Sequence, residues 1–227
     1  VGQTLRPGST SMWARLRFIN GYSPIRAAGA AREFATSIHG EINPHVGRNL
    51  LNYQGGRDGE LASMGVDGVI VAREVSITPK PSSEWELVVS TDEGNVFHRR
   101  GTPFPRVRSV TSIDSRPNEE FMLATISRID ESRNFVNADI DVPHGDASAL
   151  LTFSRPYFRG YQAWLGDRNL PVTSYRGLFP VVEIPAGAHG RLALFYRPVW
   201  LVWGSATAVV CALVILLAFV LWGRAAI

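Results

Sequence analysis

Between Val199 and Trp222 the chain runs for 24 residues without a charged side chain, VWLVWGSATAVVCALVILLAFVLW. Nothing else in the sequence restricts its architecture as strongly. A helix of that length spans about 36 Å, enough to cross a hydrocarbon core of ~30 Å with some tilt. Trp200, Trp203 and Trp222 lie near its two ends, where amphipathic rings favour the membrane interface. The sequence therefore predicts a polar domain carried on one C-terminal transmembrane helix, residues 198–223, with a short tail at 224–227 and membrane lipid as a partner.

The full chain has 227 residues, which leaves about 198 for a soluble part, enough for one sizeable core or two small domains. Its net charge is only +3, and the basic residues are arginines apart from Lys80. They are scattered through the sequence rather than blocked, so no nucleic-acid footprint is read. Cys211, the one cysteine, falls within the membrane segment. That excludes an internal disulfide and a cysteine-based zinc site. No signal peptide is visible, so an anchored domain of this kind is expected to be processed at its N-terminus or to be the tail of a longer protein. Arg191 and Arg197 before the helix and Arg224 after it do not decide its orientation by charge.

Three regions separate by composition. Residues 1–79 read as a small α/β unit. Trp13–Ile19 alternates like a strand, and Asn20-Gly21 supplies a turn. The alanine-rich segment Ala27–His39 has helical spacing, and Asp58 caps a short helix to Met64 before Gly65. Val66–Ala72 then reads as a buried strand. Residues 80–197 change character, with strand-like runs at short intervals. These are Trp85–Ser90, Asn95–Arg99, Arg106–Ile113, Phe121–Ile129, Phe135–Val142, Ala149–Ser154, Tyr161–Leu165, Leu170–Tyr175, Phe179–Ile184 and Gly190–Tyr196. Turn signals such as Gly166-Asp167 and Pro185-Ala186-Gly187 separate them. Strands of that spacing predict an antiparallel β-sandwich, jelly-roll-like. The clean alternation of Asn137–Val142 predicts one wet face. The fold class expected is α+β: the small α/β unit, the sandwich, then the membrane helix.

Residues with chemical potential are sparse. His39, His45, His98, His144 and His189 include no pair at helical metal-ligand spacing, and His144-x-Asp146 reads as a solvated turn. Asp139 and Asp141 share a strand face near Asp130 and Glu131. Their oxygens suit calcium, although a charged outer face accounts for them as well. Gly55–Gly59 is a glycine-rich loop without the lysine and hydroxyl of a phosphate loop, and no nucleophile motif appears. No catalytic, cofactor-binding or metal residue is therefore assigned. Two features point to contacts. Gly204, Ala208 and Ala212 form a small-residue stripe at four-residue spacing, suited to close packing against another transmembrane helix. Tyr157, Phe158, Tyr161 and Trp164 form an aromatic run with Arg159 and Gln162, suited to core packing, to a partner or membrane contact, or to stacking on sugar.

The order of these segments resembles the YfhO-like bacterial membrane proteins. Gly21–Phe34 is similar to their GY-x-P segment and following helix, and Leu61–Val71 to their L-x-x-L-G-V-x-Y-V strand. Ile129–Tyr196 resembles their closing β domain, and Pro185-Ala186-Gly187-Ala188-His189 with Phe195-Tyr196-Arg197-Pro198 is the most specific element. Gly160-Tyr161 stands where the family has Gly-Trp, and Gly166-Asp167 where it has Asp-Gly. The family carries about a dozen earlier membrane helices and a proposed glycosyl transfer of GT-C type. The acidic residue for that chemistry lies in a loop with no counterpart here, so no catalytic position is carried over. With its one membrane helix the chain is expected to be single-pass in the bacterial inner membrane, and the resemblance implies that the β domain is on the extracytoplasmic side and Arg224 in the cytoplasm.

Two functions are expected from these readings. The first is a non-catalytic scaffold or accessory subunit, its helix packed against those of a larger membrane complex, an energy-transducing one being an example. The alternative is the C-terminal domain of a GT-C-like glycosyltransferase that positions a glycan acceptor.

Overall fold

The computed structural model describes residues 28–35, 42–43, 46, 51, 61, 64–72, 81–101, 105–110, 123–132 and 134–225. The expected strand Trp13–Ile19, the Asn20-Gly21 turn, the Asp58 cap, the Gly55–Gly59 loop, His39 and His45 lie outside the described residues. Helix α1 (Ala28–Phe34) opens the described chain. It stops at Phe34, and Ala35 takes φ 47°, a left-handed residue of the kind that closes helix ends.

Strands β1 (Gly68–Ala72), β2 (Trp85–Thr91) and β3 (Gly94–Arg99) form a three-stranded antiparallel sheet in the order β1-β3-β2. The composition boundary at residues 79/80 is therefore not a boundary of hydrogen bonding. β1 pairs with β3 from Gly68↔His98 to Ala72↔Gly94, tying the N-terminal unit to the first two strands beyond it. β2 is an edge strand, exposing Leu87, Val88 and Val89 beside a bulge in its pairing with β3.

The remaining strands are β4 (Val107–Val110), β5 (Thr125–Glu131), β6 (Phe135–Asp141), β7 (Ala149–Phe153), β8 (Tyr161–Leu165), β9 (Arg168–Leu170), β10 (Val172–Tyr175), β11 (Phe179–Ile184) and β12 (His189–Tyr196). They build two antiparallel sheets, β10-β11-β7-β4 and β5-β6-β12-β8-β9. The expected α+β fold with a sandwich is thus present. The run read as one strand, Leu170–Tyr175, divides at Pro171. β9 pairs with β8, while β10 pairs with β11 in the other sheet. Proline has no N–H to give a ladder, so the chain changes sheets there.

Period-two alternation fills two cores. Ala149, Leu151 and Phe153 of β7 and Val182 and Ile184 of β11 face Val136, Ala138 and Ile140 of β6 and Leu192 and Leu194 of β12. The opposite side of β11, Phe179 and Val181, packs instead with Ala30 and Phe34 of α1 and with Trp85 and Phe97 of the three-stranded sheet. The four-stranded sheet is therefore the middle layer. That accounts for the almost continuous burial of Phe179–Val182, a pattern normal for strands covered on both faces. On β6, Val136, Ala138 and Ile140 are buried while Asn137 and Asp139 face outward, so the expected wet face is present.

Helix α2 (Val199–Ala225) leaves the sandwich directly. Its stretch Val199–Leu217 is long and apolar enough to cross a membrane, and none of it is buried within the protein. Each exposed leucine, valine or tryptophan would stabilise by roughly 1.5–3 kcal/mol if removed from water. A helix that is apolar on all sides suits a lipid environment.

Candidate functional site

A tightly packed junction lies where the sandwich meets α2. β12 is the central strand of its sheet, bonded to β6 on one side and β8 on the other as far as Tyr196↔Tyr161. The helix thus hangs from a strand held on both edges. At the last residue of that strand the Tyr196 N–H donates to the Asn134 carbonyl (2.8 Å), and just past it the Arg197 N–H donates to the Gly160 carbonyl (2.9 Å). Pro198 follows, buried, and its carbonyl accepts from the Leu201 and Val202 N–H groups to open the helix. Proline suits this place, since the first turn of a helix has no use for its missing N–H.

Gly160 makes the contact possible. Its φ is +122°, and a Cβ built on it would lie 2.7 Å from Pro198 Cα and 2.8 Å from Pro198 Cβ. Only glycine allows the two backbones to approach so closely.

Three of the four residues of the aromatic run gather here. Tyr161 and Tyr196 have ring centroids 5.2 Å apart, Tyr157 stacks on Tyr161 at 6.3 Å, and Phe158 meets Tyr196 edge-on at 6.1 Å. All are half-buried. Phe158 also packs on the core under α1, and Tyr161 on the core between the two sheets. The cluster therefore packs against both cores at the end of the sandwich from which α2 leaves. Trp164 does not belong to it. Alternation along β8 turns Trp164 to the outer face of the five-stranded sheet, 37% exposed, opposite to Tyr161. Register places Trp164 beside Ala193 and Asn169, with Asn137 one strand beyond and Gln162 on the same face.

A buried arginine ties the turns of this end together. The Arg155 Nη2 donates to Glu131 Oε1 and to the Ser132 carbonyl, each at 3.0 Å, and to the Phe135 carbonyl at 3.4 Å. Arg106 Nη1 reaches the other oxygen of Glu131 at 3.2 Å. Across the same end, the β10–β11 turn has Arg176 and Gly177 both at positive φ, with the Leu178 N–H donating to the Tyr175 carbonyl, in the manner of a type I′ turn. There Arg32 Nη2 donates to the Arg176 carbonyl (2.7 Å), and Arg176 pairs with Glu33.

Burial raises the Tyr161 hydroxyl above its usual 10.0, and the neighbouring Arg155 opposes that shift. The Tyr161 O–H also donates to the Pro156 carbonyl at 3.3 Å. A raised pKa means the neutral phenol is favoured by folding. That contribution is complete below pH ~10 and is lost as pH rises through the folded value. Tyr161→Phe is therefore expected to cost about 1 kcal/mol near pH 7. The deficit should shrink above pH ~10, where only the wild type has a phenolate to desolvate. Chemical denaturation at the two pH values checks this; a deficit that grows with pH would refute it.

Elsewhere the expected features are placed as follows. Asp139, weighed as a calcium ligand, lies between Arg191 (2.9 Å) and Arg128 (3.3 Å) on a bulge of β5. Among the described residues no group of three or more His, Cys, Asp or Glu is placed to hold a metal. Gly204, Ala208 and Ala212 lie on exposed α2, and no atom comes within 4 Å of a Cβ built on Gly204. Trp200 and Trp203 are 64% and 70% exposed just beyond the junction, and Trp222 is 79% exposed near the far end, as interfacial rings would be. Burial pushes Arg108, on β4, down to about 10. The sequence reading missed the junction itself, because the contact of Gly160 with Pro198 joins residues far apart in the chain.

No protein-family model, curated protein or solved structure matches this chain.

Proposed function

We propose that the chain is a membrane-anchored accessory module, extracytoplasmic, which holds its sandwich in a fixed pose above the bilayer and packs through α2 against a larger membrane complex. The observation that supports this reading is the close packing of the junction, where Pro198 sits against Gly160. A free-standing module needs only a flexible tether, whereas here buried Pro198, immediately before the helix, is seated on Gly160, and Tyr196 at the end of β12 packs against Tyr161. A packed junction of this kind would transmit the orientation of the helix to the domain, which is what a scaffold requires. The Gly204/Ala208/Ala212 stripe is the proposed helix-packing surface. Descent from YfhO-like proteins remains part of the proposal, as does the extracytoplasmic side, with Arg224 in the cytoplasm.

Purification from native membranes in mild detergent tests the reading. Co-migration with other subunits is expected, and Gly204→Leu with Ala208→Leu should release them while the chain stays in the membrane. A protein that migrates alone would count against it. Labelling of an Asp146→Cys, Cys211→Ser variant by an impermeant maleimide in intact cells tests the side.

A second reading is favoured by the outer face of the five-stranded sheet. Trp164 offers an exposed ring flanked by the amides of Gln162, Asn169 and Asn137, a combination suited to stacking on and hydrogen-bonding a sugar. In this reading the domain positions a glycan, as the glycosyltransferase relationship would have it. Glycan-array binding lost in Trp164→Ala would support it, and no binding by the wild type would end it.

A further inference from the structure

The sequence scatters its arginines, but the fold gathers them. The turns and strand ends from which α2 departs can be placed by register. Tyr196 lies opposite Tyr161, Phe195 opposite Phe135, Val107 opposite Phe153 and Tyr175 opposite Phe179. Arg106, Arg155, Arg159, Arg176 and Arg197 sit on these ends, and Arg32 joins them through its hydrogen bond to the Arg176 carbonyl. Among the described residues, the carboxylates paired with them are Glu33 and Glu131, each bonded to two of the arginines, with Asp130 on the outer sheet face. The opposite end of the sandwich carries Asp141, Asp146, Asp167 and Glu183, with Arg168 at the β8–β9 turn. Among the described residues named here, the two ends of the sandwich thus differ in charge.

We infer that the membrane-facing end is a binding surface for anionic lipid headgroups, with Arg159 and Arg197 as its centre. Arg155 is almost buried and committed to Glu131, so it does not take part. Arg159 and Arg197 are exposed and have no carboxylate partner among the described residues. They are held side by side, because the Arg197 N–H bonds the carbonyl of Gly160. Arg197 precedes the first residue of α2 by two positions, at most about 7 Å of extended chain, so it stands close to where the chain would enter the bilayer. That is within a Debye length of roughly 8 Å, and a planar guanidinium can take two phosphate oxygens at once. Arg32, Arg106 and Arg176, 41–66% exposed at the side chain, widen the positive field around that pair. The surface would settle the sandwich onto the bilayer rather than leave it standing on its stem.

The inference rests on the reading of α2 as a membrane anchor, and the test separates the two. The full chain is reconstituted into bilayers of phosphatidylcholine with phosphatidylglycerol, and spin-labelled lipids report the relative association constant of the two headgroups. Each engaged arginine is expected to favour the anionic lipid about fivefold, an effect that shrinks near 1 M salt, where the Debye length is about 3 Å. Arg159→Gln with Arg197→Gln should bring the ratio close to one, with the near-ultraviolet circular dichroism unchanged. Arg168→Gln at the far end should leave the ratio as it is. A wild-type ratio of one, or a ratio unaltered in the double variant, would overturn the inference while leaving the anchor intact. Failure of the chain to enter either bilayer would instead overturn the anchor. Selective loss of the preference in inorganic phosphate, at equal ionic strength to chloride, would show a free-phosphate site and overturn the lipid assignment.

Discussion

Gly160→Ala is expected to lower the stability of the folded chain by about 3 kcal/mol or more, through backbone strain and a backbone clash together. The strain arises because φ +122° belongs to a region open almost solely to glycine. The clash arises because the added Cβ meets Pro198 Cα, Cβ and N at 2.7, 2.8 and 3.1 Å. These are ring and backbone atoms that cannot swing aside as a flexible side chain would. Relief requires Pro198 to move, and with it the start of α2 and the rings of Tyr161 and Tyr196. Gly166→Ala provides the comparison. Gly166 also has a positive φ, 56°, yet nothing lies within 4 Å of its added Cβ, so about 1 kcal/mol of backbone strain alone is expected there. Denaturation in lipid nanodiscs, followed by near-ultraviolet circular dichroism, measures both. Equal losses at the two positions would show that the contact with Pro198 contributes nothing. Spin labels on the sandwich and on α2 should report a broader distance distribution in Gly160→Ala than in wild type.

Arg155→Met is expected to cost about 3 kcal/mol, because it leaves a nearly buried carboxylate with one partner fewer and removes the donor from two carbonyls. Glu131 keeps Arg106 at 3.2 Å, which holds the cost below that of an isolated buried charge. The Ser132 and Phe135 carbonyls lose the Arg155 contact, so the β5–β6 hairpin is loosened from the turn that carries Gly160. Arg155→Lys retains one charge but not the planar fork, and a smaller loss of about 1–2 kcal/mol is expected for the carbonyl contacts left unmade. The Arg155→Met variant should also raise the Tyr161 pKa further, since Arg155 opposes the effect of burial. Ultraviolet titration of the tyrosines reads that shift. A Tyr161 pKa unmoved in Arg155→Met would refute the coupling.

The legible parts of the fold were those in which neighbours in sequence are neighbours in energy. Asn137–Val142 shows its two faces in its own alternation, and Tyr161–Leu165 and Phe179–Ile184 were read at the bounds observed. Pro171 was visible, but its consequence was not. A proline ends a ladder wherever it falls, and which sheet receives each side depends on partners remote in the chain. Trp164 parts from Tyr157, Phe158 and Tyr161 for a related reason. A strand sends adjacent residues to opposite faces, so closeness in sequence parted them in space. The arginines show the converse: Arg32, Arg106, Arg159, Arg176 and Arg197 are dispersed in sequence and share one end only because the helix, turns and strand ends that carry them do.

By itself the sequence determined that this protein combines a strand-rich domain with an apolar C-terminal helix long enough to cross a membrane. Both follow from local patterns, period-two alternation and an unbroken uncharged run, whose energetics require no knowledge of distant contacts. Only the tertiary structure decided how the two are joined. The seat of Pro198 on Gly160, the tyrosines beneath it and the arginine-rich face around it are each assembled from several turns. Their geometry depends on strand order and register, which long-range pairing sets and no single stretch of sequence carries.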